Sequence, residues 1–285
     1  MQAGCQEFES PILHSKYLKE CFGLMAKVKD DQALIDGEAP AGKPISSNAG
    51  FLYEENLIKN LRSQGFTCGD PAGADNAKAD LEMTLPKNAP QITKFELKEK
   101  LSADFAQLNM DYDTSSNKFY IDERKSSNQK EAAQTMIGIA KQFDIIRQAN
   151  EWWKPEKKPP QRFTLGNNYS NLAKRKVARK LDLQNFPDKF LMEGKGAAEA
   201  VETYYNSKKT YYIQVKGFGL YYMGKDIQGF GVPRFSSMVG KSNIRIRIKT
   251  NSASQERWSF LMALKISGLR KSTFDLDKDP SFLLK

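Results

Sequence analysis

The chain has 285 residues and a formal net charge of +10, from 44 Lys and Arg against 34 Asp and Glu. Hydrophobic residues make up 40% and charged residues 27%, which suits a folded chain with room for one large domain or two modest ones. No run of about eighteen apolar residues occurs, so nothing is expected to span a bilayer, and the basic surplus favours a polyanion as partner, nucleic acid ahead of an anionic membrane.

The first ten residues are polar with two glutamates, which reads as no secretory signal. Cys5, Cys21 and Cys68 are scattered, odd in number and without zinc spacing, which suits a reducing compartment. A cytoplasmic location follows as an expectation, in a bacterial or phage-like setting. His14 is the one histidine. It excludes nucleases built on several histidines, and it has no partner motif for a Ser-His-Asp triad. Hydrolysis by this chain would run on carboxylates, lysine and metal.

Residues 9–28 carry a helical pattern through Ile12, Leu13, Tyr17, Leu18, Phe22, Leu24 and Met25. Residues 29–49, rich in Gly, Pro, Ser, Ala and Asp, read as a long loop, either a connector or a DNA-contacting segment. Gly50 to Gln64 reads as a helix ending at Gly65, with Phe51, Leu52, Leu57, Ile58 and Leu61 as its apolar stripe. On a wheel advancing about 100° per residue, Glu54 falls inside that stripe and Glu55 at its solvent edge. A core-facing carboxylate needs a cation or a basic partner.

Ala79 to Lys98 holds two flanks of alternating polarity about a break, Pro86-Lys87-Asn88-Ala89-Pro90. Leu81, Met83 and Leu85 share one side of the first flank, as do Thr93, Phe95 and Leu97 in the second. Folded as an antiparallel hairpin about Asn88, the chain sets Asp80 opposite Glu96, Glu82 opposite Lys94 and Thr84 opposite Ile92. Asp80, Glu96 and Lys98 then share the other face. Opposed residues have Cβ atoms roughly 4.5–5.5 Å apart, so the two carboxylates repel unless a positive charge joins them. A divalent cation on both would settle the repulsion, with Lys98 beside it. The alternative is a solvated strand face.

This arrangement resembles the PD-(D/E)XK nuclease superfamily, carried by Asp80 and, sixteen positions on, Glu96-Leu97-Lys98. Ala79 stands where the family has proline. The resemblance implies a restriction-endonuclease-like α/β core, a mixed sheet flanked by helices. It implies Mg²⁺, replaceable by Mn²⁺, on Asp80 and Glu96, with Lys98 positioning or activating the attacking water. It further implies that the Leu97 carbonyl completes the metal shell and that a helix before the hairpin brings a glutamate. Glu54 fits that place, with Glu55 the alternative and an ordinary salt bridge the other reading. Gln107 and Tyr112, after Glu-x-Lys, are similar to the exonuclease and recombination branch, although Gln107 equally suits a surface position.

Lys118 to Ile121 reads as a short strand and Asn128 to Trp153 as one long helix, capped by Asn128 with Glu131 and buried along Ala133, Met136, Ile137, Ala140, Phe143 and Ile146. Lys154 to Pro160, with three prolines and three lysines, reads as a linker or an internal loop. As a linker it divides a PD-(D/E)XK-like catalytic core at 1–153 from a basic α+β DNA-binding half at 154–285; as an internal loop it leaves that half integral to one domain.

In that half, Lys174, Arg175, Lys176, Arg179 and Lys180 crowd one helix with no acid until Asp182, a pattern for phosphate contact. Gly194-Lys195-Gly196 opens the next helix without a full phosphate-loop pattern. Thr210 to Met223 reads as two strands about Gly217-Phe218-Gly219. Its aromatics form a sheet core or, alternatively, stack on bases. Gln214-Val215-Lys216 mimics Glu-x-Lys with an amide in place of the acid. From Ser242 to Lys249, Ile244, Ile246 and Ile248 point inward and Arg245, Arg247 and Lys249 outward, a strand suited to face DNA.

Three functions remain open: a Mg²⁺-dependent endonuclease of type II restriction-like kind on double-stranded DNA, an exonuclease of the same superfamily, and a non-enzymatic nucleic-acid-binding protein. A homodimer is the usual means of cutting both strands.

Overall fold

The computed structural model describes residues 49–72, 79–85, 92–123, 130–153, 165–168, 171–194, 196–249 and 258–284. The expected N-terminal helix and loop, His14, the 86–90 break, Asn128 and the 154–160 linker lie outside them. The chain divides into two units. The larger comprises residues 44–160, 186–249 and 256–285, and the smaller residues 1–43, 161–185 and 250–255. Among the described residues the fold is mixed α/β with two five-stranded sheets. Among the described residues no helix is long and apolar enough to cross a membrane.

In the larger unit, helix α1 (Ala49–Ser63) buries Tyr53, Glu54, Leu57, Ile58 and Leu61. The phase expected from the sequence holds, with a local correction: Tyr53 takes the buried place, while Phe51 is half-buried and Leu52 exposed. The helix stops at Gly65, whose φ of 89° is in the left-handed region that glycine enters without penalty. Phe66 N–H bonds Leu61 O at 3.1 Å and Gly65 N–H bonds Arg62 O at 3.1 Å, the paired bonds of a Schellman end.

The first sheet contains β1 (Thr67–Cys68), β2 (Leu81–Thr84), β3 (Ile92–Lys98), β7 (Tyr212–Val215) and β8 (Gly219–Tyr222), in that spatial order. β2 and β3 pair antiparallel as Leu81↔Phe95, Glu82↔Lys94, Met83↔Thr93 and Thr84↔Ile92, the register expected from the alternation. Leu81, Met83, Leu85, Phe95 and Leu97 join Leu57, Ile58 and Leu61 of α1 in one core. β7 lies parallel to β3, with Leu97 beside Gln214. β7 and β8 form the hairpin expected about residues 217–219.

The second sheet is antiparallel, in the order β5-β4-β10-β9-β6. Its strands are β4 (Asp104–Asp113), β5 (Lys118–Tyr120), β6 (Lys189–Glu193), β9 (Val239–Ile248) and β10 (Trp258–Leu269). Helix α5 (Gly196–Ser207) packs on β4, β9 and β10. Its Val201 and Tyr205 share a core with Ile213, Val215 and Tyr221 of the first sheet and Ile244, Ile246 and Ile248 of the second. Of the aromatics of 210–223, Tyr212 and Tyr221 are fully buried in the cores, and Tyr211, Phe218 and Tyr222 are half-buried against them.

One further expectation is corrected. The single helix from Asn128 to Trp153 is two helices, α2 (Lys130–Gln142) and α3 (Ile145–Trp152). Asp144 breaks them at φ 52°, a left-handed conformation that a short polar side chain tolerates. The division at 153/154 does not separate the sheets, since each takes strands from both sides of it. Strand pairing is non-local, and a Pro- and Lys-rich composition marks a connection whether or not a domain ends there.

The smaller unit is described through the turn Gly166–Asn168 and helix α4 (Leu172–Asn185), where Leu165, Ala178 and Leu181 cluster. Arg175, Lys176 and Lys180 are exposed and Arg179 half-buried. Lys174 is buried and donates to Asn168 Oδ1 at 3.2 Å, so this member of the expected phosphate-binding row faces inward.

Candidate active site

Asp80 lies one residue before β2, whose pairing with β3 begins at Leu81↔Phe95. Its Oδ2 accepts from the Leu97 backbone N–H at 2.9 Å, so the side chain folds over β3 between Glu96 and Lys98. The resemblance gives the Leu97 carbonyl a role; the group that Leu97 offers Asp80 is its amide.

Glu96 is 5% exposed, and its Oε1 accepts from Lys98 Nζ at 2.6 Å and from the Tyr205 hydroxyl at 2.8 Å. Tyr205 also reaches the Phe105 carbonyl. The second oxygen, Oε2, is buried and has no hydrogen-bond partner among the described residues. A carboxylate that is half satisfied in a protein interior carries a desolvation cost that a cation would remove.

The electrostatics separate the two acids. Burial pushes Asp80 up to about 8, and the charges of Glu96 and Glu54 add to the rise against Lys98 and the Leu97 amide. Glu96 moves the other way. Burial would raise it, but the ammonium groups of Lys98 and Lys208 and the bonds from Lys98 and Tyr205 hold it below the usual carboxylate range. Lys98, though desolvated, is raised by Glu96 and Asp80 and stays an ammonium. Burial first, then Glu96, lifts the Tyr205 hydroxyl well above its ordinary value, so it remains a donor.

Glu54 of α1 is buried and acts electrostatically on Asp80, whereas Glu55 is exposed. The structure thus brings together Asp80, Glu96, Lys98 and Glu54. It adds three residues that the sequence reading missed: Tyr205 and Tyr204 of α5, and Lys208 just after it. Lys208 Nζ stands 5.9 Å from the Tyr204 ring centre and 5.6 Å from that of Tyr205. The available signal was the Tyr-Tyr pair ending a helix that feeds a strand parallel to β3.

Among the described residues no group of three or more His, Cys, Asp or Glu is arranged as a metal cluster. The donor set nevertheless fits a hard dication that keeps several waters. The raised Asp80 and the unsatisfied Glu96 Oε2 both call for positive charge, and oxygen ligands are what Mg²⁺ takes.

Other sequence candidates are placed elsewhere. Gln107 is exposed on β4 and donates to Asp104 Oδ2 at 2.9 Å, a surface role. Gln214 is buried and donates to Asp275 Oδ1 at 2.6 Å, holding the C-terminal segment. Arg245 and Arg247 point away from the core as expected, but they are half-buried and engaged with Asp104. Arg245 lies 2.6 Å from Asp104 and 3.1 Å from Asp188, and Arg247 lies 3.4 Å from Asp104. Lys249, past the end of β9, donates to Asn109 Oδ1 at 3.3 Å. Both arginines of this row are thus engaged by acids of the protein itself, with Lys265 also 3.2 Å from Asp104, so the row is less than an open basic ribbon although its cations outnumber those acids.

Comparisons of the chain with protein-family models, with curated proteins and with solved structures found no match.

Proposed function

We propose that the chain is a Mg²⁺-dependent endodeoxyribonuclease of restriction-like kind, acting on double-stranded DNA. The observation that carries this reading is the meeting of Asp80, Glu96 and Lys98 across one antiparallel pair, with Glu96 Oε2 buried and lacking a donor. The order of elements supports the PD-(D/E)XK likeness: helix α1, the β2–β3 pair, crossover helix α5, then β7 parallel to β3. The net charge of +10 suits a polyanionic substrate. An intracellular setting and a homodimer belong to the same proposal.

Asp80 and Glu96 would hold the cation, with Glu54 adding negative charge beside Asp80. When bound, a divalent ion lowers the pKa of its water and neutralises charge on a phosphoryl group. Lys98 is an ammonium, so it donates to an oxygen and stabilises developing negative charge; it does not take a proton. Tyr205 fixes the rotamer of Glu96 by holding Oε1. The side chains described at this site that can handle protons are carboxylates, an ammonium and tyrosine hydroxyls.

Incubation with supercoiled plasmid, with and without Mg²⁺, tests the reading. Nicked or linear product that needs Mg²⁺ or Mn²⁺ is expected. A covalently closed circle left intact while linear DNA is degraded would mean an exonuclease, and DNA binding with no cleavage a non-enzymatic protein.

A further inference from the structure

The end of helix α5 sets a second cation at the site. Thr210 N–H bonds Tyr205 O at 3.0 Å and Lys209 N–H bonds Asn206 O at 2.9 Å, the paired bonds of a Schellman end. Lys209 takes the left-handed position at φ 55°, where glycine is the ordinary choice. Thr210 beyond it is fully buried, so packing holds the turn in that conformation. Lys208 is thereby fixed beside Tyr204 and Tyr205.

Two ammonium groups stand near the Tyr205 ring, Lys98 Nζ at 5.9 Å from its centre and Lys208 Nζ at 5.6 Å. The hydroxyl of the same ring donates to Glu96, and both ammoniums act on that carboxylate, so both belong to one site. Their surroundings differ. Lys98 is engaged with Glu96 at 2.6 Å, and its side chain is 15% exposed. Lys208 is half-buried, and among the described residues its ammonium forms no ion pair; it stands by the rings of Tyr204, at 5.9 Å, and Tyr205. A ring attracts an ammonium yet cancels none of its charge, and leaves its N–H donors to an outside acceptor.

We propose, resting on the nuclease reading and deepening it, that Lys208 binds a backbone phosphate of the DNA strand held at Asp80 and Glu96, with the Tyr204 and Tyr205 rings steadying the ammonium. A lysine meets phosphate as a point charge and fixes the strand in place without reading its sequence.

A short fluorescein-labelled duplex, bound in EDTA and followed by anisotropy across a salt series, tests this without cleavage. Lys208→Met should make the slope of log K against log salt shallower by roughly 0.9, one phosphate contact, with the melting temperature unchanged. Lys208→Gln, whose polar end suits a half-buried position, should do the same, and Lys208→Arg should keep the parent slope. A parent slope in both neutral variants overturns the contact, even where Mg²⁺ binds them more tightly, since Lys208 would then act on Glu96 alone. A parent chain that leaves the duplex unbound overturns it too. Mg²⁺-dependent plasmid cleavage by the parent separates the two ideas. Cleavage with an unaltered slope in the variants sinks the phosphate contact alone, and a shallower slope without cleavage sinks the catalytic reading alone.

Discussion

The Tyr205 hydroxyl donates to Glu96 Oε1 at 2.8 Å, joining residues 109 positions apart. Both groups are buried, so the bond fixes which oxygen of Glu96 faces Lys98 and which is left over. Tyr205→Phe removes the one hydroxyl proton that Glu96 Oε1 and the Phe105 carbonyl share. It should cost about 1–3 kcal/mol of stability and weaken Mg²⁺ binding, read by calorimetry, since Glu96 loses its fixed rotamer. A variant with a lower melting temperature and unaltered metal affinity would confine Tyr205 to a packing role.

Lys98→Met should abolish plasmid cleavage while leaving DNA binding nearly intact, for one lysine among 44 basic residues adds little to total affinity. It should also destabilise the fold by about 3–5 kcal/mol at neutral pH, because Glu96 is left buried without its ammonium. Cleavage at the parent rate in a folded Lys98→Met protein would refute the Glu-x-Lys reading.

Glu54→Gln should reduce cleavage by orders of magnitude, and Glu55→Gln should do much less, because Glu54 is buried beside the site and Glu55 exposed. Removing the Glu54 charge also lowers the Asp80 pKa, since that charge helps raise it. Turnover and melting temperature measured together separate a catalytic role from a structural one. A stability loss with turnover spared would return Glu54 to an ordinary buried ion pair.

The pH dependence follows from Asp80. Its folded pKa, about 8, lies above the unfolded value near 3.9, so the native state binds the extra proton between them. Metal-free stability should therefore fall as pH rises from about 4 through about 8. Glu96, shifted downward, acts in the opposite sense: its contribution is present above the ordinary carboxylate pKa and lost as pH falls through its lower folded value. Asp80→Asn should flatten the fall toward alkaline pH. Mg²⁺ should raise the melting temperature more at pH 8.5 than at pH 6, and that difference should disappear in Asp80→Asn.

DNA affinity should fall steeply with salt, each neutralised phosphate adding roughly −0.9 to the slope of log K against log salt. Arg175→Ala with Lys176→Ala, both exposed on α4, should flatten the slope by about two such contacts. Arg245→Ala with Arg247→Ala should flatten it less, because Asp104 already engages both guanidiniums, and should lower the melting temperature instead. A full flattening from the Arg245 and Arg247 pair would place the DNA on β9.

The sequence by itself determined the pairing of β2 with β3, the phase of α1 and the β7–β8 hairpin. In each case the interacting residues are near in the chain and one face is buried, so hydrophobic period fixes both face and register. Asp80 and Glu96 meet because their strands pair locally, and Glu54 points inward because its helix has one apolar side. What tertiary structure alone decided lacks such a local mark. β10 is apolar almost throughout because it is buried on both faces, so it shows no alternation and its pairing with β4 and β9 could not be read. The pairing of Arg245 with Asp104 bridges 141 positions, and a strand that alternates cleanly looks the same whether its outward cations meet DNA or a carboxylate. Tyr205 and Lys208 reach Glu96 only because α5 packs beneath the second sheet while delivering the chain to β7 alongside β3. Contacts of that range are set by how layers stack, and the spacing of residues along one element carries no trace of them.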